Sequence, residues 1–181
     1  INGLNDESNQ PFIINDVILI CNGEIYNYKY LYELMEIKPE TNSDCEIIIH
    51  LYKRYGIEQT LRMLDGVFAF ILYDTKNNLI YVARDPYGVR PLYYLSSTNC
   101  EQNDFCLIGF ASELKCLIDF NSICDSYSIK QFTPGTYSML KDNNSKLTFN
   151  KQNIPYIMPT FSSPSNKFYW SDYFENIIVY L

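Results

Sequence analysis

The chain has 181 residues, 14 Lys+Arg against 21 Asp+Glu, and a formal net charge of −7. Hydrophobic residues make up 47%, so the chain folds rather than staying disordered, and one domain with a sizeable core accounts for most of its length. The acidic balance is wrong for gripping a phosphate backbone, and the longest apolar run, Val67–Tyr73, is too short to cross a bilayer, so neither nucleic acid nor membrane is expected as a partner.

Phe12 to Cys21 reads as a strand, kinked or turned at Asn15-Asp16 and ended by the turn signal Asn22-Gly23. A short helix follows from Tyr28 to Glu36, stopped before Pro39. Ser43 with Glu46 three residues later has the pattern of a capping box. Ile47, Ile48, Leu51, Tyr52 and Tyr55 then recur at helical spacing, which predicts a helix over 44–55. Gly56 ends it, and a second short helix is expected over 57–64.

After Asp65-Gly66 the strand Val67–Tyr73 is apolar on both alternating faces, so it is expected to be covered on both sides. The polar loop 74–78 joins it to Leu79–Ala83 as a hairpin. Further strands are expected at 92–95, 105–111 and 136–140, the last after the turn Pro134-Gly135. Clustered strands sandwiched on both faces predict an α+β fold of stacked antiparallel sheets with helices outside. The domain is expected to fill 1–140. Residues 141–169, rich in Asn, Ser, Lys and Thr, read as a surface excursion or linker, and the apolar stretch 170–181 as the start of a following segment.

The usual catalytic templates are missing: there is no G-x-S-x-G, H-E-x-x-H or G-x-x-x-x-G-K-[ST]. Six cysteines without a C-x-x-C pair, beside the single His50, do not compose a zinc site. They read as reduced, mostly buried thiols of a cytoplasmic protein, and no metal is expected. His50 falls one helical turn after Glu46, on the polar side of its helix, and reads as an exposed i,i+4 partner rather than a catalytic base.

Chemistry concentrates in Asn22-Gly23-Glu24 and Asp44. An Asn carboxamide beside a Gly amide can aim two donors at one developing negative charge, and Gly admits close approach of a ligand. Glu24 and Asp44 could together hold an ammonium group. Taken alone, an ordinary Asn-Gly turn and a residue of a helix start account for them better than a binding site does. The dense segment Arg84–Tyr94 reads as a rigid corner, tied by Arg84, Asp85 and Arg90 around the turn at Pro86 and Gly88.

Five segments in this order are distinctive together: Cys21-Asn-Gly-Glu-Ile-Tyr-Asn27, Ser43-Asp-Cys-Glu-Ile-Ile48, Leu64-Asp-Gly-Val-Phe-Ala-Phe70, Arg84-Asp-Pro-Tyr-Gly-Val-Arg-Pro-Leu-Tyr-Tyr94 and Ala111-Ser-Glu-Leu-Lys115. From Ile1 to about Leu140 the chain resembles the class II glutamine amidotransferase domain of glutamine-hydrolysing asparagine synthetases. The resemblance implies a four-layer αββα sandwich of antiparallel sheets, the N-terminal-nucleophile fold. It implies glutamine as substrate, an oxyanion hole of the Asn22 side chain and the Gly23 N–H, and an amine site of Glu24 and Asp44. Ile1 and Asn2 match the end of a segment lining the glutamine pocket.

The family's nucleophilic cysteine and the arginine that holds the glutamine carboxylate match positions upstream of Ile1. By that comparison the sequence lacks its N-terminal segment, and the 181 residues alone are expected not to hydrolyse glutamine. Cys21 is expected to be core and not a substitute nucleophile. No cofactor is expected in this domain; ATP and Mg belong to a synthetase domain of the same polypeptide, and a homodimer is compatible with the resemblance. The alternatives are a non-catalytic binding module of this type and the amidotransferase domain of another glutamine-dependent synthase.

Overall fold

A computed structural model describes residues 8–97, 108–118, 127–143 and 146–157. The expected first strand is a hairpin: β1 (Phe12–Ile14) pairs antiparallel with β2 (Val17–Ile25), and Asn15 makes the turn with a φ of 53°. Asn tolerates that left-handed conformation better than most residues. β2 does not stop at Asn22-Gly23. It runs straight through both, pairing Asn22 with Ala69 and Gly23 with Phe68 of β3 (Gly66–Asp74), so the expected turn is corrected to mid-strand. The glycine serves contact between strands instead: a Cβ on Gly23 would lie 2.4 Å from the Val67 carbonyl oxygen and 2.8 Å from Phe68 Cα.

Helix α1 (Tyr28–Met35) buries Leu31, Tyr32 and Met35 and ends where Glu36 turns left-handed at φ 56°. The predicted 44–55 helix starts as a 3-10 turn over Asp44–Glu46 and becomes α-helical from Ile47. The α2 segment (Ile47–Met63) is broken at Gly56, whose φ of 76° and ψ of 171° no helix accommodates. The two expected helices are therefore present, abutting across that residue.

β3 and β4 (Leu79–Arg84) form the predicted hairpin. β5 (Tyr93–Ser97) lies within a residue or two of the expected 92–95 strand, and β6 (Ile108–Ala111) lies inside the expected 105–111 strand. Its first three positions fall outside the described residues. The single-turn α3 (Lys115–Ile118) and β7 (Tyr127–Gln131) carried no clear periodic signal. β8 (Thr136–Asn143) overruns the expected 140 boundary, and β9 (Lys146–Pro155) pairs with it. Within the stretch expected as linker, residues 141–143 and 146–155 are thus strand; positions 144–145 and 158–181 lie outside the described residues. β9 escaped notice because it is an edge strand, and an edge presents polar side chains along most of its length.

The strands make two antiparallel sheets, ordered β1-β2-β3-β4-β8-β9 and β6-β5-β7. Alternation along the shared strands builds two cores. On one face of the large sheet Leu19, Cys21, Ile25, Phe68, Phe70 and Leu72 pack against Leu31, Ile48, Leu51 and Leu61 of the helices. On the other face Ala69, Val82 and Leu140 pack against Leu92, Tyr94 and Phe132 at the small sheet. Fully burying each large apolar side chain contributes roughly 1.5–3 kcal/mol. The expectation of stacked antiparallel sheets with helices outside holds, in the order helices, large sheet, small sheet, with α3 against β6.

Candidate functional site

Among the described residues the C-terminal half of β2 is paired on one side only. Beyond the short β1 no described strand lies along its outer edge, and strand alternation sends the backbone groups of Cys21, Gly23 and Ile25 towards that edge while Asn22 and Glu24 bond to β3. Side chains clamp two of these three positions. The Gln10 carboxamide accepts from the Cys21 N–H at 2.6 Å and donates to the Cys21 carbonyl at 2.8 Å. Asp44 Oδ2 accepts from the Ile25 N–H at 2.6 Å. Gly23 lies between them, its carbonyl 3.8 Å from the Cys45 thiol. Its N–H points outward along the same edge.

The side chains of Asn22 and Glu24 alternate with buried Cys21 and Ile25, so they stand on the face opposite the helices. There Asn22 borders a cavity of about 290 Å³ between the two sheets, lined also by Ile20, Ile71, Leu92, Phe110 and Ser112. Asn22 Nδ2 donates to Ser112 Oγ at 3.3 Å, across the gap from β2 to the residue after β6. The site therefore has an apolar floor with polar groups at one rim, the form that small-molecule sites usually take. Asn22, Gly23 and Glu24 are consecutive on β2, and Asp44 abuts the same strand through Ile25. Ile1 and Asn2 lie outside the described residues.

Asp44 is carried on the 3-10 turn, and that turn is fastened by its neighbours. Ser43 Oγ accepts from Cys45 N–H at 3.3 Å rather than from Glu46, and the Ser43 N–H donates to Thr41 Oγ1 at 3.1 Å, so Ser43 caps the turn but the expected capping box does not form. Glu46 reaches back past it, accepting from the Glu40 and Thr41 amides at 2.8 and 2.5 Å and from His50 Nε2 at 2.8 Å. The predicted Glu46–His50 pair is there, but it is not exposed as expected: Glu46 is fully buried and the His50 side chain is 15% exposed. The helix polar side at that turn faces the 40–41 loop instead of water.

Burial pushes the Glu46 carboxyl up, and bonds from His50, Thr41 and the two amides outweigh it, holding its pKa down from 4.5 to about 2. A depressed acid contributes stability in full above its unfolded value and loses it as the pH falls through the folded one. Denaturant titrations of the natural protein and of Glu46→Gln should therefore converge by about 3 kcal/mol as the pH falls from 4.5 to about 2. A gap independent of pH would contradict the ionised, bonded state of Glu46.

Cys21 is buried, as expected of a core residue, on the helix side of β2. The neighbouring Cys45 thiol and burial push its pKa well up, the reverse of an activated thiol. Of the other described cysteines Cys45 is buried and Cys116 exposed, both free. Among the described residues no cluster of metal-ligating side chains is present, and no helix is long and apolar enough to cross a membrane.

The Arg84–Tyr94 segment is the corner that the sequence suggests. Arg84 and Asp85 are 2% and 0% exposed. Arg84 donates to the Arg90, Phe132 and Gly88 carbonyls at 2.6–2.7 Å. Asp85 accepts from the Tyr87, Val89 and Arg90 amides at 3.0–3.1 Å. These groups are spent on the backbone, and their task is to set Leu92 and β5 against the cavity. Sequence reading missed Gln10 and Ser112, because neither lies in a periodic segment and both act across long separations.

A family model described as a glutamine amidotransferase domain matches residues 1–158. Asparagine synthetase [glutamine-hydrolyzing] of Gallus gallus is 46% identical over 123 residues, which is 67% of this chain and 21% of that protein. The probable asparagine synthetase of Acanthamoeba polyphaga mimivirus is 51% identical over 109 residues, 60% of this chain and 19% of that protein. The human asparagine synthetase is 43% identical over 123 residues, again 67% and 21%. The chain thus spans about a fifth of the length of these curated relatives. Among solved structures, the glutamine phosphoribosylpyrophosphate amidotransferase from B. subtilis superposes with a TM-score of 0.59 at 27% identity, covering 83% of this chain and 32% of that one. A second, described as the allosteric regulatory enzyme of purine biosynthesis, gives 0.61 at 27%, covering 84% and 32%.

Proposed function

The chain belongs to the glutamine amidotransferase domain family, and on that premise we propose that it is the glutaminase part of an ATP-dependent synthetase that amidates aspartate. Asn22 and Gly23 supply the two donors that hold the oxyanion formed when a thiolate attacks the glutamine side-chain amide. Glu24 and Asp44 hold the glutamine α-amine. The observation that carries the reading is the rim of β2: an Asn carboxamide facing a cavity of about 290 Å³ beside a Gly amide directed along an edge that no described strand covers. A donor in each of two directions meets at the corner where face and edge join. Both donors are positioned before any substrate arrives, so little reorganisation accompanies charge development.

Of the two acidic residues, Glu24 is exposed on the cavity side of β2 and free to approach a substrate amine. Asp44 is 4% exposed and already accepts from Ile25, so it serves as a fixed negative charge at the strand edge. ATP and Mg act in the synthetase half of the polypeptide, and this domain uses neither. The reading further places the protein in the cytoplasm.

The test is made on the full natural polypeptide. Glutamate release from glutamine, with asparagine formed when aspartate and ATP are present, supports the reading. Glutaminase activity without aspartate amidation assigns the domain to another glutamine-dependent synthase. Binding of glutamine without hydrolysis assigns it to a non-catalytic module. Asp44→Asn keeps an acceptor for Ile25 but removes the charge, and it should raise the KM for glutamine by roughly tenfold, the loss expected from one charge-assisted contact. An unchanged KM counts against the amine site.

A further inference from the structure

We infer that Gln10 is a positioning residue for the Gly23 oxyanion donor, a role that rests on the glutaminase reading proposed above. β1 ends its ladder at Phe12 opposite Leu19. Two residues further along β2, at Cys21, no described strand continues the pairing, and the register brings Gln10 opposite. The Gln10 carboxamide takes over. It presents a carbonyl and an N–H side by side, as a peptide group does, and makes both bonds to Cys21, at 2.6 and 2.8 Å.

The bonded residue is two before Gly23, so both point to the same edge. On the far side the Asp44 carboxylate holds Ile25 at 2.6 Å, also two residues from Gly23. The glycine amide is therefore suspended between two clamps that come from segments 11 residues earlier than Cys21 and 19 residues later than Ile25. Gly23 has no side chain to fix its own plane, and a peptide that rocks carries its N–H away from the oxyanion. Gln10 limits that rocking, and it also lines the cavity beside Asn22. Only a carboxamide of this length does both parts: Glu keeps the acceptor and loses the donor, and Leu loses both.

The variants Gln10→Leu and Gln10→Glu are compared with the natural sequence in the full polypeptide. The donor acts on charge that exists only in the transition state, so the expected loss is in kcat. Glutamine-dependent kcat should fall roughly 10- to 100-fold in Gln10→Leu, and less in Gln10→Glu, with KM for glutamine within about twofold and ammonia-dependent synthesis unchanged. Hydrogen exchange should accelerate at the Cys21 amide while that of Phe70 in the core stays protected. Glutamine-dependent kcat unchanged in both variants overturns the role, as does an equal loss of the ammonia-dependent reaction, which marks a merely structural clamp. If Gln10→Leu does not fold, Gln10→Glu decides by the same criteria. A natural polypeptide that releases no glutamate removes the functional reading and this role together, whereas an active one with equally active variants removes the role of Gln10 alone.

Discussion

Replacing Asn22 with alanine should lower glutamine-dependent turnover by roughly 10²- to 10³-fold while sparing synthesis from free ammonia. The carboxamide stands on the cavity face of β2, exposed, with Ser112 Oγ as its hydrogen-bond partner at 3.3 Å. Its removal leaves the β2–β3 ladder untouched, because that ladder uses the Asn22 backbone. Stability should change by less than about 0.5 kcal/mol, the usual range for an exposed position. A purely catalytic loss is therefore separable from an unfolding one. In the proposed reaction ammonia bypasses glutamine hydrolysis, so only the glutamine-dependent route passes through the oxyanion. Parallel assays with glutamine and with ammonium salts check it, and an equal fall in both would make Asn22 a structural residue.

The second large effect lies away from the reacting atoms. Asp85→Ala should cost about 3 kcal/mol of folding stability. The carboxylate is fully buried and organises the turn by accepting from three successive parts of it, the Tyr87, Val89 and Arg90 amides. It is also the anion next to Arg84, whose guanidinium is otherwise surrounded by carbonyl oxygens. Alanine leaves the amides without their acceptor and the cation without its nearest countercharge, and loss of a charged acceptor is dearer than loss of a neutral one. Asp85→Asn keeps one oxygen and should lie between. Tyr87→Ala, at an 87% exposed side chain on the same turn, should change almost nothing. Denaturant unfolding measures all three, and a loss below 1 kcal/mol for Asp85→Ala would contradict the turn's dependence on that carboxylate.

Family membership was more legible in the sequence than local geometry. Asn22-Gly23 stood out as a donor pair, yet the dipeptide also spells a turn, and nothing local says that Gly23 is small because Val67 and Phe68 press against it. The contact is made by a residue more than forty positions away, beyond any window of periodicity. The β3 strand was readable because two apolar faces have one explanation, burial on both sides, and both cores indeed meet there. β9 was unreadable for the converse reason, since an edge strand beside solvent mixes polar and apolar residues as a loop does. Glu46 was recognised as a capping residue and as a partner of His50, but its burial depends on where the 40–41 loop folds back. Gln10 gave no signal. A side chain that imitates backbone is seen only once the backbone it completes is in view.

The double coverage of β3 also decides how this molecule can come apart. Phe68, Phe70 and Leu72 belong to one core, Ala69 and Ile71 to the other, and Tyr81 and Val82 divide in the same way on β4. Two strands serve as a party wall, with no plane between the cores along which one could loosen and leave the other standing. Such an arrangement makes unfolding a single cooperative event, because each core is built on the hydrogen-bond ladder of the other. The β2 edge that no described strand covers and the single hydroxyl of Ser112 that meets Asn22 both lie outside this wall. β2 itself is laddered to β3 from Val17 to Ile25, so it comes away only when the wall does.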